Sequence, residues 1–125
     1  MTSKDPTQRL DDIIDNICRI HTYVEGMDEV TFTGDNKTID AVERCFERIA
    51  EAARKLGEGY DGAYPELNLH ALRQFGSALR HDYDSIQPTL LWGFICDRLD
   101  PLEEMARFEK GKLEEGEPLG QPYGD

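Results

Sequence analysis

The chain has 125 residues, one domain's worth, long enough for a single hydrophobic core and too short for two comfortable ones. With 14 Lys and Arg against 26 Asp and Glu, its formal charge is −12, so the long-range field repels free nucleic acid and anionic membrane, and any function on RNA must rest on a local basic patch. Cys18, Cys45 and Cys96 are odd in number and lack a CxxC pair, which excludes a disulfide framework or a cysteine zinc site. Each falls among apolar residues and is expected to be a buried, reduced thiol. The first residues, Met1 to Pro6, hold no apolar core of a signal segment, and no apolar run could span a bilayer, so a soluble, cytoplasmic protein is expected.

Leu10, Ile13, Ile14, Ile17, Ile20, Val24 and Met27 recur at three- and four-residue spacing and predict a first amphipathic helix over 8–27. The turn formers of 31–37 read as a connector. Thr38 then suits the cap of a second helix whose apolar face is Ile39, Val42, Phe46, Ile49, Ala53 and Leu56, stopped by Gly57 and Gly59. After the loop 59–65, Asn68 caps a third helix that buries Leu69, Leu72, Phe75 and Leu79. Pro88 suits the first turn of a fourth, with Leu91, Trp92, Ile95 and Leu99 inward, and Asp100-Pro101 kinks it or opens a fifth piece through Leu102, Met105 and Phe108. No strand-like alternation competes. The expectation is an all-α protein, an antiparallel bundle of four to five helices over 1–110, followed by a flexible acidic tail over 111–125. The wide apolar stripes of so small a bundle make a homodimer the expected assembly.

The third helix gathers the residue types of phosphate chemistry. Arg supplies a fixed charge and forked donors, His moves protons near neutral pH, and Tyr offers a hydroxyl. On an ideal helix Arg73 and Arg80 lie within about 20° of one another and about 10 Å apart along the axis. Ser77 sits between them and His81 about 80° round from Arg73, so all four can border one patch. The competing reading is a solvated helix face with its arginines paired to carboxylates. His21 and His70 have no comparable neighbours. The histidines are not at metal-ligand spacing and no Glu-x-x-His pair occurs, so no metal and no cofactor are expected. Phosphate-loop, dinucleotide and nucleophile-elbow motifs are missing.

Four stretches in order, Ile49 to Leu56, Tyr64-Pro65-Glu66-Leu67, Leu79-Arg80-His81-Asp82-Tyr83-Asp84, and Trp92 through Leu99-Asp100-Pro101-Leu102, closely resemble the HepT-like toxins of the HEPN superfamily. The resemblance covers nearly everything before the tail. It implies a dimerising helical bundle in which the Arg and His motifs of two subunits face one cleft, and a metal-independent endoribonuclease that drives the RNA 2′-hydroxyl onto its own phosphate. His81 would transfer the proton, Arg80 and Arg73 would stabilise the developing charge, and Ser77 and Asp82 would support the patch. It further implies a type VII-like toxin and antitoxin pair, in which an MNT-type nucleotidyltransferase antitoxin adenylylates the tyrosine of the His-x-Tyr motif, here Tyr83, otherwise an interface residue. One departure stands out. The family's usual motif arginine falls on Gly76, which keeps open a second reading, a non-catalytic helical subunit using the same Arg and His patch to hold a nucleotidyltransferase or a nucleotide.

Overall fold

A computed structural model describes residues 5–115, which form six α-helices and no strand among the described residues. They are α1 (Pro6–Tyr23), α2 (Glu29–Thr33), α3 (Asn36–Leu56), α4 (Leu69–His81), α5 (Pro88–Asp97) and α6 (Leu99–Glu115), with single 3-10 turns at Pro65–Leu67 and Tyr83–Ser85. The all-helical fold expected above is what forms. Its boundaries depart from expectation where capping side chains outrank apolar spacing. Asp5 accepts from the Gln8 amide and starts α1 at Pro6, and the chain leaves that helix after Tyr23. Asp35, rather than Thr38, caps α3, accepting from the Thr38 amide at 3.1 Å.

The stretch read as a plain connector contains α2. Asp28 and Thr31 form a reciprocal capping box: the Thr31 amide donates to Asp28 Oδ1 and the Asp28 amide to Thr31 Oγ1, both at 2.9 Å. These bonds favour the charged carboxylate and hold Asp28 below the usual range. Five residues suffice because the turn carries Phe32 into the core, where its ring meets Trp92 of α5 at 5.2 Å. The cysteine expectation also needs correcting. Cys45 is buried, but Cys18 and Cys96 are exposed, because an apolar neighbourhood in sequence still leaves an outward face on a helix. Asn68 and Pro88 open their helices as expected, Asn68 adopting a φ of 49° and accepting from the Ala71 amide. Helix α6 runs to Glu115, five residues past the boundary expected after 110, and residues 116–125 of the expected tail lie outside the described residues.

The core is one continuous cluster running from Leu10 in α1 to Ala106 in α6. Helices α1 and α6 are antiparallel: Asp11 pairs with Lys110 at one end and His21 lies 3.6 Å from Asp100 at the other. Phe46, Phe75 and Phe94 bind α3, α4 and α5 in an aromatic knot, with Phe75 and Phe94 stacked at 4.4 Å. Tyr64, before α4, donates its hydroxyl to the buried carboxylate of Glu109 in α6, and that bond, with burial, pushes the Tyr64 phenol up to about 12. The tyrosine therefore stays a donor throughout the neutral range.

Helices α3 and α4 meet at Gly76. A Cβ placed there would lie 2.2 Å from the Cβ of Ala50, well inside contact distance, so the Ala50 methyl of α3 packs on the α4 backbone where only hydrogen fits at position 76. Gly76→Ala is expected to destabilise the protein by about 1–3 kcal/mol, the usual cost of overpacking. Ala50→Gly in the same chain should recover part of that loss, appearing as positive coupling in a double-mutant denaturation cycle. A Gly76→Ala variant melting with the wild type would show that the two helices are not in register at this notch.

Candidate active site and the cleft beside it

Helix α4 carries the motif residues, and its capping fixes where they emerge. Asn68 sets the first turn, while Asp82 closes the last, donating its amide to the Ala78 carbonyl at 2.7 Å. The buried face of Leu72, Phe75, Gly76 and Leu79 looks into the bundle, leaving Ser77, Arg80, His81 and Asp82 exposed. Just beyond, Ser85 Oγ donates to the Asp82 carbonyl and stabilises the 3-10 turn containing Tyr83. The helix ends at His81, so the backbone of Tyr83 does not continue its course. The expectation for the Tyr83 hydroxyl lies outside the described side chains.

The two arginines are engaged differently. Arg73 turns toward the loop before α4, where its Nη1 donates to Asp61 Oδ1 at 3.3 Å and its Nη2 to Asp61 Oδ2. Its side chain is only 13% exposed, so this forked pair is largely shielded from water. Arg80 leans the other way, into a cleft of about 390 Å³ between α1, α3 and α4. It forms no ion pair among the described residues, although its charge reaches Glu51. The structure thus brings Arg80 and His81 together by adjacency and engages Arg73 elsewhere. His81 and Ser77 are not part of the cleft's lining.

Arg9, Arg44, Arg48 and Lys55 join Arg80 in that cleft, against the carboxylates Asp12, Glu47 and Glu51. On a chain of net charge −12 this is a local excess of positive charge. The Glu51 carboxyl is held below its usual range, first by its hydrogen bonds from Arg54 and then by Arg54, Lys55 and Arg80 as charges. Spacing along α4 could not have found this cleft, because its cations come from three helices. The visible signal was the run Arg44, Arg48, Lys55 on the polar side of α3.

Elsewhere the fold brings His21, Asp100 and Glu103 together, with one donor atom of each within 4.8 Å of the others. His21 and Asp100 are exposed, and Glu103 already binds Arg107 at 2.8 Å, so the group is a surface ion-pair network at the end of the α1/α6 pair. His70 is exposed. Among the described residues no helix is long and apolar enough to cross a membrane.

Comparison with known proteins places this geometry in context. Residues 13–108 match the family described as Ribonuclease HepT-like, and the chain belongs to that family. A Methanocaldococcus jannaschii protein whose name is that of a candidate RNase is 28% identical over 118 residues, covering 91% of this chain and 98% of that protein. A Thermococcus cleftensis protein named as a candidate ribonuclease HepT is 27% identical over 101 residues, covering 81% of this chain and 90% of the relative. No solved structure matches the chain. Gly76, where the resemblance expected the motif arginine, takes on a physical meaning: the methyl group of Ala50 on α3 occupies the space that a side chain there would need.

The two arginines should separate in stability. Arg73→Ala removes one partner of a shielded, forked pair and is expected to lower stability by about 1–2 kcal/mol, whereas Arg80→Ala should stay within about 0.5 kcal/mol of the wild type. Thermal or urea denaturation measures both. Equal, negligible effects would mean that the Arg73–Asp61 pair contributes nothing in solution.

Proposed function

We propose that the protein is a metal-independent endoribonuclease, the toxin of a type VII-like pair, acting on RNA in the cytoplasm. The observation that carries this reading, beside family membership, is the exposed His81 next to Arg80, whose guanidinium has no ion pair among the described residues. In the reaction His81 takes the proton of a 2′-hydroxyl as its oxygen attacks the adjacent phosphorus. The bond from phosphorus to the 5′-oxygen breaks, that oxygen takes up a proton, and a 2′,3′-cyclic phosphate remains. Arg80 stabilises the charge that builds on the phosphoryl oxygens. Arg73 contributes only where RNA draws it from Asp61, and Ser77 and Asp82 border the site as polar support.

A homodimer fits this chemistry. Helix α5 is apolar on more than its buried side: Leu90 is half exposed, and Gly93 and Phe94 lie beside it on the surface. Only residues 82–87 separate His81 from α5, so a copy docked on that face would bring a second His81 near the first. The partner of the pair is an MNT-type nucleotidyltransferase antitoxin, which blocks the site by transferring AMP to Tyr83. The added bulk and negative charge would sit two residues from the proton-transfer histidine.

A second reading is favoured by two observations, the Ala50 methyl of α3 occupying the place expected for the motif arginine and Arg73 being committed to Asp61. In it the protein is a non-catalytic helical subunit that binds a nucleotidyltransferase or a nucleotide through the same residues. Purified protein free of its partner, incubated with RNA in EDTA, decides between them. Cleavage leaving 2′,3′-cyclic phosphate ends and abolished by His81→Ala is expected. An unmodified wild type that leaves RNA intact would establish the binding subunit instead.

Regulation is tested separately by co-expression with a nucleotidyltransferase encoded beside the gene. The peptide containing Tyr83 should gain mass in units of AMP, and Tyr83→Phe should prevent it. AMP found on Tyr60 or Tyr64, or on no tyrosine, would remove this mode of control without touching the cleavage reading.

A further inference from the structure

The cleft between α1, α3 and α4 holds one group that folding alone leaves unexplained. Asn16 lies in the middle of α1 among Leu10, Ile13, Ile17 and Ile20, and is only 7% exposed. Its Nδ2 donates to the Asp12 carbonyl one turn back at 2.8 Å, which fixes the amide's orientation. Its Oδ1 is buried and has no hydrogen-bond partner. An unmatched buried acceptor is costly, and Asn is a poor helix former, so an apolar side chain here would serve the fold better. Asn16 nonetheless lines the same cleft as Arg44, Arg48 and Arg80. Arg48 and Arg80 make no ion pair among the described residues, and Arg44 shares only an exposed contact with Glu47.

We propose that this cleft is a nucleotide subsite for RNA, in which Arg48 and Arg80 hold a phosphodiester and, as a small shift of the side chains over it uncovers Asn16 Oδ1, that oxygen accepts a hydrogen bond from a base N–H. The assignment rests on the ribonuclease reading for its substrate class and on the cleft's own chemistry for its place. A phosphodiester alone satisfies the guanidinium groups but has no hydrogen to give Oδ1. A nucleotide supplies both halves, an anion and, on adenine, cytosine or guanine, an amino donor beside it. The volume suits a single nucleotide, at the lower end of small-molecule sites. Arg80 spans the cleft and the active site because His81 is its neighbour in sequence. A strand seated in the subsite would therefore present an adjoining phosphodiester to the histidine.

The test uses the full-length protein carrying His81→Ala, so that RNA is bound without being cut, and follows a fluorescein-labelled single-stranded RNA by anisotropy in EDTA. Arg48→Ala and Asn16→Leu are each expected to weaken binding about tenfold. Arg48→Ala should also flatten the dependence of log Kd on log salt by about one unit, which Asn16→Leu should not. Arg107→Ala, in the separate groove between α1 and α6, should change nothing. Asn16→Leu should melt at or above the wild-type temperature, an outcome that a merely structural asparagine would not give. The proposal falls if both cleft variants bind RNA as tightly as their parent, if Arg107→Ala weakens binding equally, or if Asn16→Leu destabilises the fold with affinity intact. Displacement of the RNA by inorganic phosphate as readily as by AMP would reduce the site to an anion hole and overturn its nucleotide half. Loss of cleavage in the wild type with cleft-dependent binding retained would overturn the ribonuclease reading while leaving the subsite standing.

Discussion

The close approach of α3 and α4 at Ala50 and Gly76 is the constraint on which the remaining arrangement depends. Because only the Ala50 methyl separates the two backbones there, the large side chains on either side can interlock, and Phe46 meets Phe75 edge to face at 5.7 Å. Phe94 then stacks on Phe75 and brings α5 into the group. With α4 held so near α3, Arg80 reaches the cleft that α1 and α3 form between them. A bulkier residue at the notch would open the seam and withdraw Arg80 from the cations it joins.

Much of the architecture was legible before any coordinate. Long helices with sustained apolar spacing, such as α1 and α3, announce themselves, and Asn68 and Pro88 mark their helix starts by the conformations those residues permit. What escaped was of two kinds. Helix α2 is shorter than the period needed to see it, and its evidence lies in the pair Asp28 and Thr31 rather than in hydrophobicity. The ends of α1 and α3 were set by Asp5 and Asp35, single side chains that apolar spacing does not register.

The candidate site was legible as a helix and only partly as a site. Placing Arg73 and Arg80 on one side of α4 says nothing of what faces them, and each meets a different partner: Asp61, twelve residues upstream, and a cleft built from α1 and α3. Asn16 drew no notice in the sequence because one asparagine in an amphipathic stripe looks like an ordinary boundary residue. Only the three-dimensional accounting of donors and acceptors distinguishes it. Gly76 is the converse case. The family resemblance marked it as a missing arginine, and the structure supplies the steric reason.

The segment between α3 and α4 is fastened at several points. Asp61 is gripped by Arg73, Tyr64 by Glu109, and the Leu67 carbonyl by Arg98, whose guanidinium also lies over the Phe94 ring. A connection of this length would ordinarily be the first part of a small helical protein to open and the first to be nicked by a protease. Here its clasps come from α4, from Arg98 at the C-terminal end of α5 and from α6, so its opening requires contacts to three parts of the bundle to loosen together. The loop is thus the keystone of this end of the bundle, and freeing it would take with it the Arg73 anchor of the helix that bears Arg80 and His81.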